Sequence, residues 1–170
     1  MRRAAVWLAG IAVVATAGTV FAGPDNVVFP PDYRDTMQVV AVRDHHLGGN
    51  SIAVIYANQI AIDSARLGGD LASGALFVME VWSARTENEQ LVRDADGRLV
   101  QNELRVINMM EKRDGWGAEY PVEWRNGNWE FASYTGAGEL RDANYQSCFE
   151  CHKPVGDAGY DFAYVVGAMR

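Results

Sequence analysis

The sequence is poor in cysteine and lysine, and acidic side chains outnumber basic ones. Its 170 residues include two cysteines, two lysines (Lys112 and Lys153), and 22 acidic against 15 basic residues. Two cysteines are too few for a disulfide-rich miniprotein, and an apolar fraction of 49% is too high for a disordered chain. The net charge of −7 argues against a nucleic-acid partner, which would require a basic surface. We therefore expect a globular domain that buries a core without disulfides.

The first 22 residues have the order of segments found in a secretory signal peptide. Arg2 and Arg3 precede an apolar run that begins at Ala4, and residues up to Ala22 precede a cleavage site. An uncleaved membrane anchor is the alternative, because the run approaches the ~20 residues of a membrane-spanning helix. The run is rich in Ala and Gly, and no charged stop-transfer segment follows, which favours cleavage after Ala22. We predict a signal peptide over residues 1–22 and a mature domain over 23–170. The full chain has a net charge of −7, and the mature domain has −9 because Arg2 and Arg3 are removed.

The pattern of apolar residues predicts a domain of the α+β class that is mainly β. The predicted strands are 37–42, 51–56, 76–82, 104–110, 118–124, 129–134 and 162–166. One predicted helix runs from Gln59 to Leu67, with Asn58 as its N-cap and Gly68 at its end. A second, 141–150, carries the cysteines. The Asn126-Gly127 pair predicts a hairpin between the strands that flank it.

Cys148, Cys151 and His152 form a Cys-x-x-Cys-His motif, the attachment signature of c-type haem. On a helical turn the two thiols lie on one face, where each can form a thioether with a haem vinyl group. The adjacent imidazole then reaches the iron as proximal ligand, and its second nitrogen is free to donate a hydrogen bond. Attachment takes place on the outer side of the bacterial inner membrane, in agreement with a signal peptide. We therefore expect a periplasmic protein with one covalently attached haem c, its iron bound by His152.

Other uses of the two cysteines fit the sequence less well. A thioredoxin-like Cys-x-x-Cys opens a helix after a strand in a βαβ pattern, whereas this motif ends a predicted helix near the C-terminus. A zinc site needs about four ligands, and no further cysteine is available to complete one. A disulfide between Cys148 and Cys151 would close too small a loop to restrict the unfolded chain appreciably.

The sixth coordination position of the iron has several candidate ligands. They are His45, His46, Met37, Met79, Met109, Met110 and Met169. A methionine in a strand usually fills the core, and two adjacent histidines in a glycine-flanked loop usually form a solvated turn. An open distal face of aromatic and aliphatic side chains is at least as consistent with the sequence. Such a face would bind neutral diatomic gases, because a small apolar ligand needs no charged partner.

The chain resembles the cytochrome P-460 family, whose non-cross-linked relatives include the β-type cytochromes c-prime. The similar segments occur in order along the chain: Phe29 to Asp35, Val54 to Asn58, Ser73 to Val81, Asp114 to Tyr120, and Tyr160 to Phe162 after the haem motif. The resemblance implies a mainly antiparallel β fold with a few helices, usually in a homodimer. It also implies a single monohaem domain with a five-coordinate iron and His152 as proximal ligand.

At one position this sequence differs from the cross-linked family members that oxidise hydroxylamine. In the cross-linked members, a lysine on the strand that corresponds to residues 73–81 bonds to the haem macrocycle, which alters its electronics for hydroxylamine oxidation. Met79 stands at that position here, and a thioether has no amine to form the bond. Neither Lys112 nor Lys153 stands at a matching position. We therefore expect Met79 at the haem and no cross-link.

Three functions are consistent with these residues, and they differ in how well the residues support them. The best supported is binding of nitric oxide or a related small nitrogen-oxide ligand at an open distal site. The second is electron transfer to a periplasmic protein, with Met79 or another side chain as sixth ligand. The third is an oxidoreductase acting on hydroxylamine or nitric oxide, with Glu80, Glu111 or Glu119 as proton relay. The sequence leaves open whether the protein is an enzyme.

Overall fold

An antiparallel β-sheet of five strands forms the centre of the fold in a computed structural model that describes residues 26–118 and 120–170. The strands of the chain are β1 (Gln38–Asp44), β2 (Ser51–Ala57), β3 (Leu76–Ala84), β4 (Thr86–Glu87), β5 (Gln90–Leu91), β6 (Gln101–Lys112) and β7 (Trp129–Thr135). The central sheet has the order β1-β2-β3-β6-β7, and β4 and β5 form a separate small hairpin. This architecture confirms the predicted α+β class with mainly β structure.

The described residues form four α-helices beside the sheet. They are α1 (Tyr33–Thr36), α2 (Gln59–Leu67), α3 (Gln146–Asp157) and α4 (Val166–Met169). Within the two described ranges, none of the helices has the length and apolar character needed to cross a bilayer. The predicted signal peptide, residues 1–22, lies outside the described residues, and so does Glu119.

Helix α2 has the predicted bounds because its two ends are encoded locally. The side chain of Asn58 accepts a hydrogen bond from the backbone N–H of Ala61 at 2.9 Å, which satisfies a donor in the first turn. Gly68 follows the last turn with φ of +78°, a conformation that favours glycine. Ala61 and Ala65 are fully buried, so one face of the helix packs against the core.

The central sheet packs different elements on its two faces. Phe77, Met110 and Phe131 lie opposite one another on β3, β6 and β7, and they share a core with Phe149 of α3. We call this side the α3 face; α2 and α4 pack on it as well. The alternate residues, among them Val78, pack against the segment that contains α1 on the opposite side, the α1 face.

The described residues of the segment 118–124 do not form the predicted strand, and no hairpin connects them to β7. They lie in turns and in a 3-10 helix, Val122–Trp124. Gly117 has φ of +83°, and the Arg125 side chain donates to the carbonyl oxygens of Ala118 and Tyr120 at 2.7 Å each. These contacts fold the segment back on itself, although its aromatic composition is typical of a strand.

The C-terminal elements also differ from the prediction. Helix α3 begins at Gln146, because the residues before it pair with the edge of β7: the N–H of Arg141 donates to the carbonyl of Ser133 at 2.9 Å. Of the predicted strand 162–166, residues 162–165 lie in turns and Val166 begins α4. Asp161 and Phe162 have φ of +48° and +60°, which is incompatible with an extended strand.

Candidate haem-attachment site

Helix α3 presents the two cysteines while Phe149 anchors the helix to the sheet. Cys148 and Cys151 are free thiols three residues apart, so they lie on one side of the helix. Phe149, between them in sequence, is buried and makes edge-to-face contacts with Phe131 at 4.9 Å and Tyr120 at 5.3 Å between ring centres. Burial raises the pKa of the Cys148 thiol, and the Cys151 residue is exposed.

The imidazole of His152 is held in one orientation. Its Nδ1 lies 2.6 Å from the carbonyl oxygen of Phe162. Since a carbonyl can only accept, Nδ1 carries the proton and Nε2 keeps its lone pair. The ring packs against Phe131 and Tyr164, with ring centres 5.0 Å and 5.2 Å away. Burial lowers the pKa of His152, which favours the neutral form that a metal ligand requires.

Tyr164, just before α4, forms a hydrogen bond with the haem motif. Its hydroxyl donates to the backbone carbonyl of Cys151 at 2.8 Å and lies 3.7 Å from the Cys151 sulfur. The hydrogen bond with Cys151 is the main reason why the pKa of Tyr164 is raised. His152 and Cys151 therefore both contact the segment that precedes α4.

Met79 lies on the α3 face, as its proposed place at the haem requires. It is directly opposite Asn108 on β6, one row further along the sheet than the Phe77–Met110–Phe131 row. Because neighbouring strands are ~4.8 Å apart, Met79 lies roughly 10 Å sideways from β7, whose Phe131 contacts His152. The fold thus places Met79 and His152 against the same side of the sheet.

A polar group borders Met79 on this face. Ser133 lies opposite Asn108, and its hydroxyl donates to the Asn108 side-chain oxygen at 2.8 Å. Arg141, just before α3, donates to the Ser133 hydroxyl at 2.9 Å. This chain of hydrogen bonds was not predicted from the sequence, because it joins residues on three separate segments.

The remaining candidates for the sixth position are spread over the fold. Met37 and Met109 pack on the α1 face, whereas Met110 and Met169 belong to the core of the α3 face. His45 and His46 lie in the turn between β1 and β2. The structure brings Met79, Met110 and Met169 to the same side of the sheet as the haem motif.

Two of the three predicted proton-relay residues lie on the α1 face. Glu80 is 2% exposed and accepts hydrogen bonds from the side chains of Tyr33, Arg34 and Trp82 at 2.5, 2.6 and 2.7 Å. Glu111 is paired with Arg113 at 2.6 Å. Strand alternation therefore separates Glu80 from its neighbour Met79 by the thickness of the sheet.

The donor set of the motif fits a c-type haem. Two thiols on one side of a helix stand next to a neutral imidazole whose Nε2 has its lone pair available. Among the described residues, no group of three or more His, Cys, Asp or Glu side chains could hold a metal ion. The motif lies near the beginning of α3, not at the end of a helix as predicted. Throughout the described strands, however, the central sheet is antiparallel, unlike the βαβ unit of a thioredoxin.

The comparison with known protein families agrees with this donor set. The sequence model of the family described as Cytochrome P460 matches residues 30–164, most of the chain. The matched region includes the haem motif and Met79. No curated protein matches the chain.

Proposed function

The chain belongs to the cytochrome P460 family, which makes it a haem c cytochrome, and on that premise we propose that it binds nitric oxide or a related small nitrogen oxide. In this proposal the protein is exported to the periplasm and cleaved after Ala22. One haem is attached through Cys148 and Cys151, and its iron supplies the ligand-binding and redox chemistry. His152 would hold the iron through Nε2, and the distal site would be left open for the small ligand.

The observation that carries the proposal is that the ammonium groups of both lysines bind protein oxygen atoms and are therefore not placed to bond to a haem. Nζ of Lys112 pairs with Asp161 at 2.8 Å, and Nζ of Lys153 donates to the carbonyl of Glu123 at 2.8 Å. Met79 occupies the position at which the cross-linked relatives have lysine. A haem without a lysine bond supports gas binding over hydroxylamine oxidation.

The surroundings of Met79 also support a neutral ligand. Ile55 lies opposite Met79 on β2, and Asn108 lies opposite it on β6. An aliphatic side chain and an amide beside Met79 can accommodate a small diatomic molecule, and the nearby Arg141 guanidinium already donates to the Ser133 hydroxyl. The carboxylates of Glu80 and Glu111 face the other side of the sheet, which weakens the case for a hydroxylamine-oxidising enzyme with a carboxylate relay.

Electron transfer remains the second candidate, because the thioether of Met79 lies on the same sheet face as His152. A methionine as sixth ligand would raise the reduction potential and close the distal side. The partner would then be a periplasmic electron-transfer protein.

One titration distinguishes the two candidates. The full chain is exported with a haem-maturation system, covalent haem is measured by the pyridine haemochrome assay, and ferrous spectra are recorded while nitric oxide is added. We expect a high-spin spectrum that changes with one equivalent of gas, in the native protein and in Met79→Leu. If the native protein has a low-spin spectrum that does not change when the gas is added, and the spectrum of Met79→Leu does change, methionine ligation would be established instead. Absence of covalent haem would contradict both candidates.

We also propose a homodimer, as the family resemblance implies. Strand β1 is at the edge of the sheet, and its Val39 is exposed. An edge strand with an exposed apolar side chain is suited to association with a second copy. Sedimentation equilibrium of the holoprotein tests this, and a monomer at micromolar concentration would contradict it.

A further inference from the structure

We propose that Lys112 and Asp161 are positioning residues for the iron ligand, because their buried ion pair holds the Phe162 carbonyl against Nδ1 of His152. The inference rests on the proposed attachment of haem with His152 as proximal ligand. It extends that proposal to a strand that carries no part of the haem motif.

The Asp161 carboxylate is held by Lys112 and by the backbone of Leu71. Nζ of Lys112 is 2.8 Å from Oδ2 of Asp161, and the side chains are 9% and 4% exposed. The same carboxylate oxygen accepts the backbone N–H of Leu71 at 2.8 Å. The ammonium also lies 5.9 Å from the ring centre of the fully buried Trp129. Asp161 is therefore tied both to the end of β6 and to the loop before β3.

The backbone at Asp161 needs such an anchor. Asp161 and Phe162 both have positive φ, which is unfavourable for residues with a Cβ atom and for bulky residues above all. A hydrogen bond from Ala163 N–H to the Tyr160 carbonyl at 3.1 Å closes the turn. In this turn the carbonyl of Phe162 comes within 2.6 Å of His152 Nδ1. Without the anchor, the two residues would relax towards ordinary φ values and the carbonyl would turn away.

The ring of Phe162 holds the same turn from its other side. An added Cβ at Gly156 of α3 would be 2.2 Å from the ring, and one at Gly127 would be 3.3 Å from it. The ring thus occupies a space that only glycine leaves open. Asp161 and the Phe162 ring together fix the position of one carbonyl group.

That carbonyl group acts on the iron through the imidazole. A hydrogen bond from Nδ1–H sets the tautomer and the ring orientation, and it increases the basicity of the ligating nitrogen. A more basic ligand favours the ferric state and lowers the reduction potential. Loosening the turn is therefore expected to raise the potential, although Lys112 and Asp161 belong to neither the haem motif nor its helix.

The test uses holoprotein variants that change the charge and leave the shape nearly intact. Asp161→Asn keeps a residue type that tolerates positive φ, and Lys112→Met keeps the length of the side chain. We expect each to raise the potential by about 59 mV, a tenfold change in the ferrous-to-ferric ratio for one electron. The iron–histidine stretching band in ferrous resonance Raman spectra should move to lower frequency. Lys112→Arg, which retains the cation, should restore both values towards those of the native protein.

Glu80→Gln is the matched control, because it disturbs a buried carboxylate on the α1 face. It should lower the stability and leave the potential and the Raman band unchanged. The inference is overturned if Asp161→Asn and Lys112→Met retain the native potential and band, or if Glu80→Gln shifts them equally. If either single variant does not fold, Lys112→Met/Asp161→Asn removes both charges together, and an unchanged potential there overturns it too. Native protein without covalent haem would instead contradict the proposed function.

Discussion

Met79 lies directly opposite Asn108 on neighbouring antiparallel strands, on the sheet face that packs against α3. Its sequence neighbour Glu80 is on the other face, where it accepts three short hydrogen bonds. Alternation along one strand therefore places Met79, the residue proposed to lie at the haem, and Glu80, which anchors the strand by hydrogen bonds, on opposite faces.

Replacing Met79 by lysine should allow a bond between β3 and the haem. An amine that replaces hydrogen on a macrocycle carbon releases two electrons and two protons, so an oxidant such as hydrogen peroxide must be supplied. We expect mass spectrometry of proteolysed Met79→Lys holoprotein to detect a β3 peptide coupled to haem, in addition to the cysteine thioethers. Met79→Leu, which has no amine, is the control. A haem-linked β3 peptide in the native protein would show that Met79 does not prevent the bond.

Glu80→Gln should destabilise the fold and preserve the haem spectrum. The carboxylate is almost fully buried, and hydrogen bonds to a charged group contribute ~1.5–3 kcal/mol each. Arg34 is half exposed, which reduces its share. We expect the free energy of unfolding to decrease by about 2–3 kcal/mol in urea denaturation. A large change in the haem spectrum, with no loss of stability, would instead favour a role for Glu80 at the iron.

Ionisation of Tyr33 should decrease the free energy of unfolding at alkaline pH. Its burial and its hydrogen bond to Glu80 raise the pKa of Tyr33 above its ordinary value near 10. A pKa that rises on folding stabilises the protein fully below the unfolded value, and the contribution is lost as the pH increases towards the folded value. Between roughly pH 9.5 and 12 the native protein should therefore lose stability more steeply than Tyr33→Phe. Urea denaturation of both at several pH values measures this, and parallel curves would contradict it.

Gly156→Ala should be destabilising even though alanine favours helices. The added methyl group would be 2.2 Å from the Phe162 ring, so the ring must move. We expect a loss of about 1–3 kcal/mol from overpacking, larger than the helix gain of roughly 0.5–1 kcal/mol. Thermal unfolding measures the difference. Gly49→Ala is the control, because its new Cβ would make only ordinary contacts, at 3.6 Å or more. Increased stability of Gly156→Ala would contradict the close packing of Phe162.

Local signals explain which elements could be predicted from the sequence. β-forming residues located β2, a nearly continuous apolar run located β3, and a capping residue and a glycine fixed both ends of α2. The haem motif was recognisable because its three functional residues lie within five positions.

Other parts of the structure depend on contacts between distant residues. The segment around Tyr120 has the composition of a strand, but hydrogen bonds from the long side chain of Arg125 fold it into turns. The Lys112–Asp161 pair joins residues 49 positions apart, so no local pattern could reveal it. The segment Tyr160 to Phe162 was part of the family resemblance, which was the one signal available for that site.

The hydrogen bonds around Glu80 also determine which side chains of β3 lie on the α3 face. A shift of β3 by one residue against its neighbours would exchange the faces of Met79 and Glu80. The carboxylate would then lose Tyr33 and Arg34, which belong to α1 on one side of the sheet, and would enter an apolar core. Correct strand alignment is thus enforced by a short N-terminal helix on the side of the sheet opposite the α3 face. Single changes such as Glu80→Gln leave a polar side chain and the remaining partners on this face, so the alignment of β3 should survive them, whereas replacing Tyr33 and Arg34 together would remove both α1 partners that favour it.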